Sequence, residues 1–412
     1  MIEIMSPVGS FESLASAIQA GAGSVYFGLG KLNMRAKSTV NFTEKDLDKI
    51  IKTCNENNVK SYLAINTVMY DNDLEEMRRM IDLAKQKGVS AIIASDTAVL
   101  QYALQQGVEI HASTQLNISN IEAVKFFSQY CDVVVLAREL SLDKVAYIHE
   151  QIIKQNIRGP KGGLVRIEMF VHGALCMAIS GKCYLSLHEL NHSANRGACL
   201  QICRRNYTVT DRESGLQLDI ENEYIMSPKD LCTIGFLDKL LMAGVEVLKI
   251  EGRARPPEYV KTVTQVYQDA VKAVKENTFN QDKVKIWKDK LSEVFNRGFW
   301  DGYYLGQRLG EWNDIHGSKA KYHKEFIGTI NNYFSRLGVA EVYINTGKIS
   351  VGSKIFIIGP STGTLEITIS EIRLNDIQVD TAVKGDVVSI PVPERVRKND
   401  KLYIEVENSI FS

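Results

Sequence analysis

The stretch "LEEMRRMIDLAKQKGVSAIIASD" (residues 74–96) shows the repeating unit of this chain. Up to Gly88 its apolar side chains recur at helical spacing, and glycine favours the left-handed conformation that often follows a helix. Just beyond, "AIIASD" is a short apolar run typical of a strand buried on both faces. The stretch therefore predicts a helix followed by a buried strand.

The same alternation extends from the first residue to about position 277. Eight strand-like runs can be counted: "IEIMS", "SVYFGL", "SYLAIN", "AIIASD", "EIHAST", "VVVLAR", "RIEMFVH" and "EVLKIEGR". Repeated βα units form a parallel sheet, and eight of them fit a closed barrel. We therefore predict an α/β fold, a (β/α)8 TIM-like barrel.

The seventh run, "RIEMFVH", is the exception, because no amphipathic stretch follows it directly. Instead "HGALCMAISGKCYLS" (residues 172–186) leads through further cysteines to a predicted hairpin at residues 207–221. Helical periodicity returns only after that hairpin. We predict a cysteine-rich insertion after strand 7.

From about Phe326 the helical pattern gives way to short alternating strands with turn sequences such as "NTGK" and "GPSTG". We predict a barrel domain at residues 1–310, a polar linker at residues 311–325 and a small all-β barrel domain at residues 326–412. The strand-and-turn pattern of the last part is similar to domain II of translation elongation factors.

Composition limits the classes of partner. The 412 residues include 49 basic and 49 acidic side chains, so bulk charge does not attract the chain to nucleic acid or to an anionic membrane. The first residues, "MIEIMSPVGS", lack the basic and apolar segments of a signal peptide, and no run is long enough to span a bilayer. We expect a cytoplasmic protein without a membrane partner, whose contacts with nucleic acid are local.

Four of the seven cysteines gather in the insertion, at Cys176, Cys183, Cys199 and Cys203, which we call the cysteine quartet. Four thiolates can complete a tetrahedral zinc site or hold an iron–sulfur cluster. The wide gap between the first two suits the tight turn of a zinc site poorly. Spacing alone favours iron–sulfur and leaves zinc, disulfides and unliganded thiols open. The remaining cysteines are expected to be buried apolar residues.

Polar residues end several predicted strands, where barrel enzymes assemble their active sites. The candidates for catalysis are Arg35, His111, Arg138, His172, Glu251 and Arg253. Arginine grips carboxylates and phosphates with its planar fork, which predicts an anionic substrate. Internal salt bridges to Glu139 or Glu251 are the alternative. The histidines titrate near neutral pH and suit acid–base work, with structural hydrogen bonding as the alternative.

Long motifs then indicate a family. "EMFVHGALCMAISGKCYLS", "NRGACLQICRRNY", "MSPKDLC" and "LKIEGRARPPEYV" resemble the signature of the collagenase-like peptidases, historically peptidases of unknown catalytic type. The resemblance begins at "SPVGSFESLASAIQAGAGSVYFGL" and covers nearly the whole chain. Layout and length most resemble the family members associated with 5-hydroxyuridine synthesis in tRNA.

This resemblance implies an enzyme that hydroxylates the wobble uridine of tRNA without molecular oxygen, with prephenate as co-substrate. It also implies that the cysteine quartet holds a 4Fe-4S cluster, with zinc as the less favoured alternative. Prephenate is a dicarboxylate, which suits the arginines. Relatives act on ribosomal RNA or on a quinone precursor, and both substrates stay open. Proteolysis with Cys176 and His172 as a catalytic pair is the alternative activity.

Partners follow from the same resemblance. Lys182, Arg196, Arg204 and Arg205 crowd the cysteine region and form a candidate surface for tRNA, with a solvated basic rim as the alternative. The C-terminal domain is a second candidate for tRNA contact. Whether the chain works with a partner protein or as a homo-oligomer stays open.

Overall fold

The computed structural model describes residues 2–37, 41–208, 212–214, 226–306, 310–314 and 317–408. It contains a barrel followed by an antiparallel all-β region. Most of the hairpin predicted at residues 207–221 lies outside the described residues. Among the helices that the structure describes, none is long and apolar enough to cross a membrane.

Eight parallel strands close the barrel. The strands of the sheet that contains them are, in chain order, β1 (Glu3–Pro7), β2 (Ser24–Phe27), β3 (Lys60–Ile65), β4 (Ala91–Ala94), β5 (Ile110–Ala112), β6 (Val133–Val135), β7 (Arg166–Gly173), β8 (Asp230–Cys232), β9 (Val245–Ile250) and β10 (Phe299–Trp300). Two of them, β8 and β10, are short and lie outside the barrel. Strands β1 to β7 pair in sequence order, and β9 pairs with both β7 and β1. The predicted barrel and its eight strands are thereby confirmed.

Helices cover the outside of the barrel. They are α1 (Phe11–Gln19), α2 (Glu44–Glu56), α3 (Leu74–Lys87), α4 (Thr97–Gln105), α5 (Ile121–Ser128), α6 (Leu142–Lys154), α7 (Leu185–Leu190), α8 (Leu237–Met242), α9 (Pro257–Lys275) and α10 (Gln281–Glu293). Local chemistry sets their ends: the Asp96 carboxylate caps α4 by accepting from the Ala98 N–H, and Gly88 ends α3 at a φ of 78°. On α3, Met77, Met80 and Ile81 are buried against the barrel, as the opening stretch predicts.

The insertion after β7 lies between that strand and α8, the helix that precedes β9. It contains α7 and two short 3-10 turns, at Ala194–Arg196 and Ile202–Arg204. The chain returns through β8, which pairs antiparallel with β7, and then through α8 to β9. The insertion therefore starts at the C-terminal end of a barrel strand, the end on which barrel active sites lie.

The all-β region is formed by β11 (Tyr322–Phe334), β12 (Val339–Ile344), β13 (Lys348–Ser350), β14 (Lys354–Gly359), β15 (Gly363–Thr368), β16 (Ile372–Leu374), β17 (Ile377–Val379), β18 (Thr381–Val383), β19 (Val387–Pro391) and β20 (Lys401–Glu407). Its alternating apolar residues fill a core separate from that of the barrel. The first strand begins at Tyr322, inside the stretch predicted as linker.

The two parts are joined by direct contacts. Strand β15 packs against α1 and α9, the helices that follow β1 and β9. The Ser16 and Thr364 hydroxyls lie 2.9 Å apart, and the Lys261 ammonium donates to the Thr364 carbonyl at 2.6 Å. The all-β region is thus fixed to the outer helices of the barrel.

Candidate active site

A cavity of about 360 Å³ opens where the C-terminal ends of the strands meet, and we call it the mouth cavity. Ser113, Arg138, Ala174 and Glu251 line it from the segments that follow β5, β6, β7 and β9. The insertion supplies the opposite wall, with Met177 among its apolar residues. The cavity occupies the position predicted from the strand ends.

All four members of the cysteine quartet line the mouth cavity. Cys176 is exposed, and the other three are half-buried. The remaining cysteines, Cys54, Cys131 and Cys232, are buried as the sequence predicts. Burial raises the pKa of the Cys232 thiol to about 11, which keeps it protonated and unreactive at neutral pH.

The cysteine quartet is electrostatically coupled. Burial, foremost, raises the pKa of Cys203; the Arg204 guanidinium opposes this, and the charges of Cys176, Cys199 and Cys183 raise the pKa further. Mutual repulsion of this kind requires the four thiols to lie near one another. Arg204 is held beside them by hydrogen bonds to the Pro228 carbonyl (2.7 Å) and to other backbone and hydroxyl oxygens.

The donor set decides which group would fit. Within the described ranges, no three His, Cys, Asp or Glu side chains are gathered closely enough to hold a single metal ion. A cluster of several irons and bridging sulfides is larger than one ion, so its thiolate ligands stand farther apart. Four soft thiolates that line one cavity are the donor set that an iron–sulfur cluster takes.

Two glycines bring the insertion against the rest of the site. Gly173 has a φ of 104°, and a Cβ there would lie 2.4 Å from the Glu251 carbonyl oxygen. Gly197 has a φ of 81°, and a Cβ there would lie 2.5 Å from the Asn33 carbonyl oxygen. Only glycine accommodates both the conformation and the contact. These contacts place the cysteine quartet beside the end of β9 and beside the loop that carries Arg35.

Glu251 is the anionic centre of the opposite wall. Its Oε1 accepts a hydrogen bond from Arg35 Nη2 at 2.8 Å, and its Oε2 accepts from the Tyr26 hydroxyl at 3.2 Å. Burial alone would raise the pKa of Glu251, but Arg35, followed by Arg138 and Arg253, brings it to about 2. The internal salt bridge weighed from the sequence is therefore formed by Arg35.

Three arginines, Arg35, Arg138 and Arg253, surround this one carboxylate, and we call them the arginine group. Arg253 Nη1 donates to Asn33 Oδ1 at 3.1 Å, and Arg138 Nη1 donates to the Ala174 carbonyl at 3.1 Å. Arg138 also stacks over the Phe170 ring at 3.8 Å, and its buried Nε has no hydrogen-bond partner in the described structure. A buried charged donor without an acceptor favours an anionic ligand at this position.

The two candidate histidines lie elsewhere. His172 packs against Tyr259, Tyr267 and Phe299, with ring centroids within 6.0 Å, and burial lowers its pKa to about 3. His111 is buried inside the barrel, where its Nδ1 lies 2.7 Å from Glu168 Oε2. Neither is among the residues that line the mouth cavity.

Sequence reasoning missed two charged residues in the barrel interior. The Lys249 ammonium donates to Glu168 Oε1 at 2.6 Å, and Lys249 lines the floor of the mouth cavity. The signal was present, since "EVLKIEGR" and "RIEMFVH" each carry a charged residue inside an apolar strand. A buried strand has no structural need for such a residue, so its presence points to an internal pair.

Two of the four basic residues predicted to contact tRNA are already engaged by other groups of the protein. Arg196 forms an ion pair with Asp73 and stacks on the Tyr70 ring at 3.9 Å, while Arg204 serves the cysteine quartet. Lys182 and Arg205 are exposed at the rim, together with Tyr184, whose side chain is 70% exposed.

Comparison with known proteins shows the family of the chain. Residues 9–314 match the model of Peptidase family U32, and the chain belongs to that family. It is 60% identical over 401 residues to a protein of Porphyromonas gingivalis strain W83 named "Collagenase", covering 97% of both chains.

Two further relatives carry different names. The chain is 31% identical over 344 residues to "tRNA hydroxylation protein P1" of Bacillus subtilis strain 168, covering 80% of this chain and 77% of that one. It is 33% identical over 317 residues to a 23S rRNA 5-hydroxycytidine synthase of Escherichia coli strain K12, covering 75% of this chain and 46% of that one. The family predicted from the motifs is confirmed.

The buried carboxylates predict how stability depends on pH. Burial alone would raise the pKa of Glu168 and of Glu251. The attraction of nearby cations outweighs that effect and brings the folded-state pKa of each carboxylate to about 2, below the ordinary 4.5. Each therefore stabilises the fold fully above about pH 4.5 and loses that contribution as pH falls toward 2, at about 1.4 kcal/mol per pH unit. Urea unfolding followed from about pH 6 down to about pH 3 should show this decline.

Substitution separates this effect from general acid unfolding. Glu168→Gln is expected to flatten the decline in the free energy of unfolding, whereas Glu56→Gln, on the exposed surface of α2, should leave it unchanged. Equal slopes in wild type and Glu168→Gln would show that the interior carboxylate is not ionised in the folded protein.

Proposed function

We propose that this protein hydroxylates RNA: the substrate is the wobble uridine of tRNA, the product is 5-hydroxyuridine, and prephenate is the co-substrate. One observation carries the proposal. The cysteine quartet and the arginine group line the same mouth cavity, so a cluster held by the cysteines would lie within reach of an anionic ligand held by the arginines.

The named relatives support the class of reaction. Two proteins about one third identical to this chain are named for hydroxylation of tRNA and for synthesis of a hydroxylated pyrimidine in 23S rRNA. Both names describe hydroxylated RNA. Pyrimidine hydroxylation in RNA is therefore the activity most consistent with both the relatives and the site.

The chemistry of the donor set fits a 4Fe-4S cluster on Cys176, Cys183, Cys199 and Cys203, and such a cluster supplies an electron route when bound. The chain's own residues stabilise an anionic group there. Arg204 lies against Cys203, and the Arg35 guanidinium interacts electrostatically with Cys176 and Cys199. Cations beside these sulfurs would offset the negative charge that four thiolates bring to a metal site.

The co-substrate has a matching anion site. Arg138 offers a buried Nε without an acceptor, and Arg253, like Arg138, lies close enough to Glu251 to lower the pKa of that carboxyl. A dicarboxylate that accepts hydrogen bonds from both arginines would be held in one orientation. Phe170 and Leu175 line the same cavity and contribute apolar surface to it.

Proteolysis is the second candidate, because the relative that is 60% identical is named a collagenase. A cysteine protease needs a thiolate paired with a base, and a zinc protease needs an open single-metal site. No histidine is among the described residues that line the mouth cavity, and His172 is enclosed by aromatic rings. The geometry of the described site therefore favours hydroxylation.

Nucleoside mass spectrometry of RNA from a deletion strain tests the proposal. We expect 5-hydroxyuridine and its derivatives to disappear from tRNA and to return when the gene is restored. Unchanged tRNA with loss of a hydroxylated base in ribosomal RNA would assign the ribosomal substrate instead. Unchanged RNA of both kinds, together with cleavage of gelatin by the purified protein, would contradict the proposal and support the peptidase.

A further inference from the structure

A row of ionisable side chains runs through the barrel interior, starting at the mouth cavity. Lys249 on β9 lines the cavity floor, and its Nζ lies 2.6 Å from Glu168 Oε1 on β7. The other oxygen of Glu168 lies 2.7 Å from His111 Nδ1 on β5. The side chains of Glu168 and His111 are fully buried, and that of Lys249 is 4% exposed.

The same row of side chains continues to the opposite end of the barrel. His111 Nε2 is 3.8 Å from Glu109 Oε1, and Glu109 Oε2 is 2.6 Å from Lys161 Nζ, whose side chain is 56% exposed. Glu109 directly precedes β5, and Lys161 precedes β7, so both lie at the N-terminal ends of the strands. Ionisable groups therefore connect the mouth cavity to solvent at the far end of the barrel.

A purely structural role accounts poorly for this arrangement. Barrel interiors are normally filled with branched apolar side chains, which cost no desolvation. Ionic groups buried in their place carry a desolvation cost that can exceed the stabilisation gained from their pairing. In addition, the buried His111 Nε2 has no hydrogen-bond partner in the described structure, although Glu109 lies opposite it.

We propose that Lys249, Glu168, His111 and Glu109 form a proton relay that supplies Lys249 from the N-terminal face, so that Lys249 acts as an acid toward a ligand in the mouth cavity. The identity of the proton acceptor rests on the proposed function. The relay itself is defined by the side chains and their distances.

The transfer is balanced in protons and involves no electrons. The Lys249 ammonium gives one proton to the ligand, Glu168 passes the Nδ1 proton of His111 to the Lys249 amine, and His111 gains a proton at Nε2 through Glu109. One proton enters at Glu109 for each that leaves at Lys249, and His111 is left as the Nε2–H tautomer. A flip of the imidazole ring, or proton exchange with solvent, returns the proton to Nδ1 and restores the starting state before the next transfer. The 3.8 Å separation of His111 from Glu109 is the step that must close.

The charges around His111 suit this role. Burial opposes the imidazolium, yet Glu109 and Glu168 raise the pKa of His111, and Glu3 acts in the same direction from β1. The Tyr62 ring on β3 packs against the imidazole at 4.5 Å between centroids. A proton is therefore available on His111 near neutral pH.

Solvent exchange of the His111 ring protons tests the relay without any turnover. In protein labelled with nitrogen-15 at histidine, we expect Glu109→Gln to slow that exchange by about tenfold or more, since proton transfer through a positioned acid contributes at least that much. Lys161→Met, on the exposed loop, is a second variant and should slow it less. Glu246→Gln removes another carboxylate of the N-terminal face, one that pairs with Arg166, and should leave exchange unchanged.

Turnover supplies an independent readout. Glu109→Ala is expected to lower kcat about tenfold with little change in KM, and added formate should restore it by replacing the missing carboxyl group. Exchange at the wild-type rate in both Glu109→Gln and Lys161→Met would overturn the relay and leave the network a structural one. Absence of RNA hydroxylation by the wild type would refute the proposed function alone, because the exchange measurement still decides the relay.

Discussion

Replacing Cys203 by serine is expected to abolish RNA hydroxylation and to remove the cluster absorbance. The serine hydroxyl is a harder donor and a weaker acid than a thiol, so only three of the four thiolate ligands would remain. Substituting a residue that hydrogen-bonds to a metal ligand typically lowers metal affinity or activity about 10- to 100-fold. Substituting a ligand itself should lower them by more than about 100-fold. Anaerobic purification, absorbance and a hydroxylation assay measure both effects.

Cys54→Ala provides the matched control. Cys54 is fully buried in α2, outside the mouth cavity, and burial alone raises its pKa to about 12. Its replacement should cost about 1 kcal/mol or more of stability through the cavity left behind, while absorbance and activity persist. Full activity in Cys203→Ser, with unchanged absorbance, would remove Cys203 from the ligand set.

Replacing Arg138 by alanine is expected to lower kcat/KM for the co-substrate about 100-fold, which corresponds to about 2.7 kcal/mol. The side chain contributes a charged fork beside Glu251, and its Nε has no acceptor in the described structure. Because Arg138 is not one of the residues proposed to ligate the cluster, the cluster absorbance should be unchanged. Arg138→Lys keeps the charge but loses the planar fork, so it should restore only part of the activity.

Arg79→Ala controls for loss of an arginine as such, because Arg79 lies on the surface, paired with Glu44 and Glu76. It should leave kcat/KM unchanged. If Arg138→Ala were as active as the wild type, the anion would have to bind elsewhere in the arginine group. If Arg138→Ala instead lost both its activity and the cluster absorbance, Arg138 would be supporting the fold of the insertion rather than binding the substrate.

The barrel could be predicted because its signal is local and repeated. Each strand is a short apolar run, and each helix shows a 3.6-residue period with a capping residue or glycine at its end, as at Asp96 and Gly88. The general location of the site followed from the same pattern, since strand ends converge on one face. Glu251, Arg138 and the cysteine quartet do line one cavity.

The orientation of individual side chains was harder to predict. His172 follows an irregularity in the pairing of β7 with β9, between Phe170 and His172, so alternation along the strand no longer gives the side that each residue faces. Phe170 lines the mouth cavity, whereas His172 turns toward Tyr259 and Tyr267. Partners such as Glu168 and Lys249 are 81 residues apart in sequence, and only the closed barrel brings them together.

The proposed function requires Cys176, Cys183, Cys199 and Cys203 to hold one iron–sulfur cluster in the mouth cavity. Iron and acid-labile sulfide should be measured per chain in protein purified without oxygen, together with its absorbance near 400 nm. We expect about four irons and about four sulfides per chain in a brown protein, and loss of all three signals in Cys203→Ser. A colourless protein that contains one zinc ion per chain, or no metal, would contradict the account.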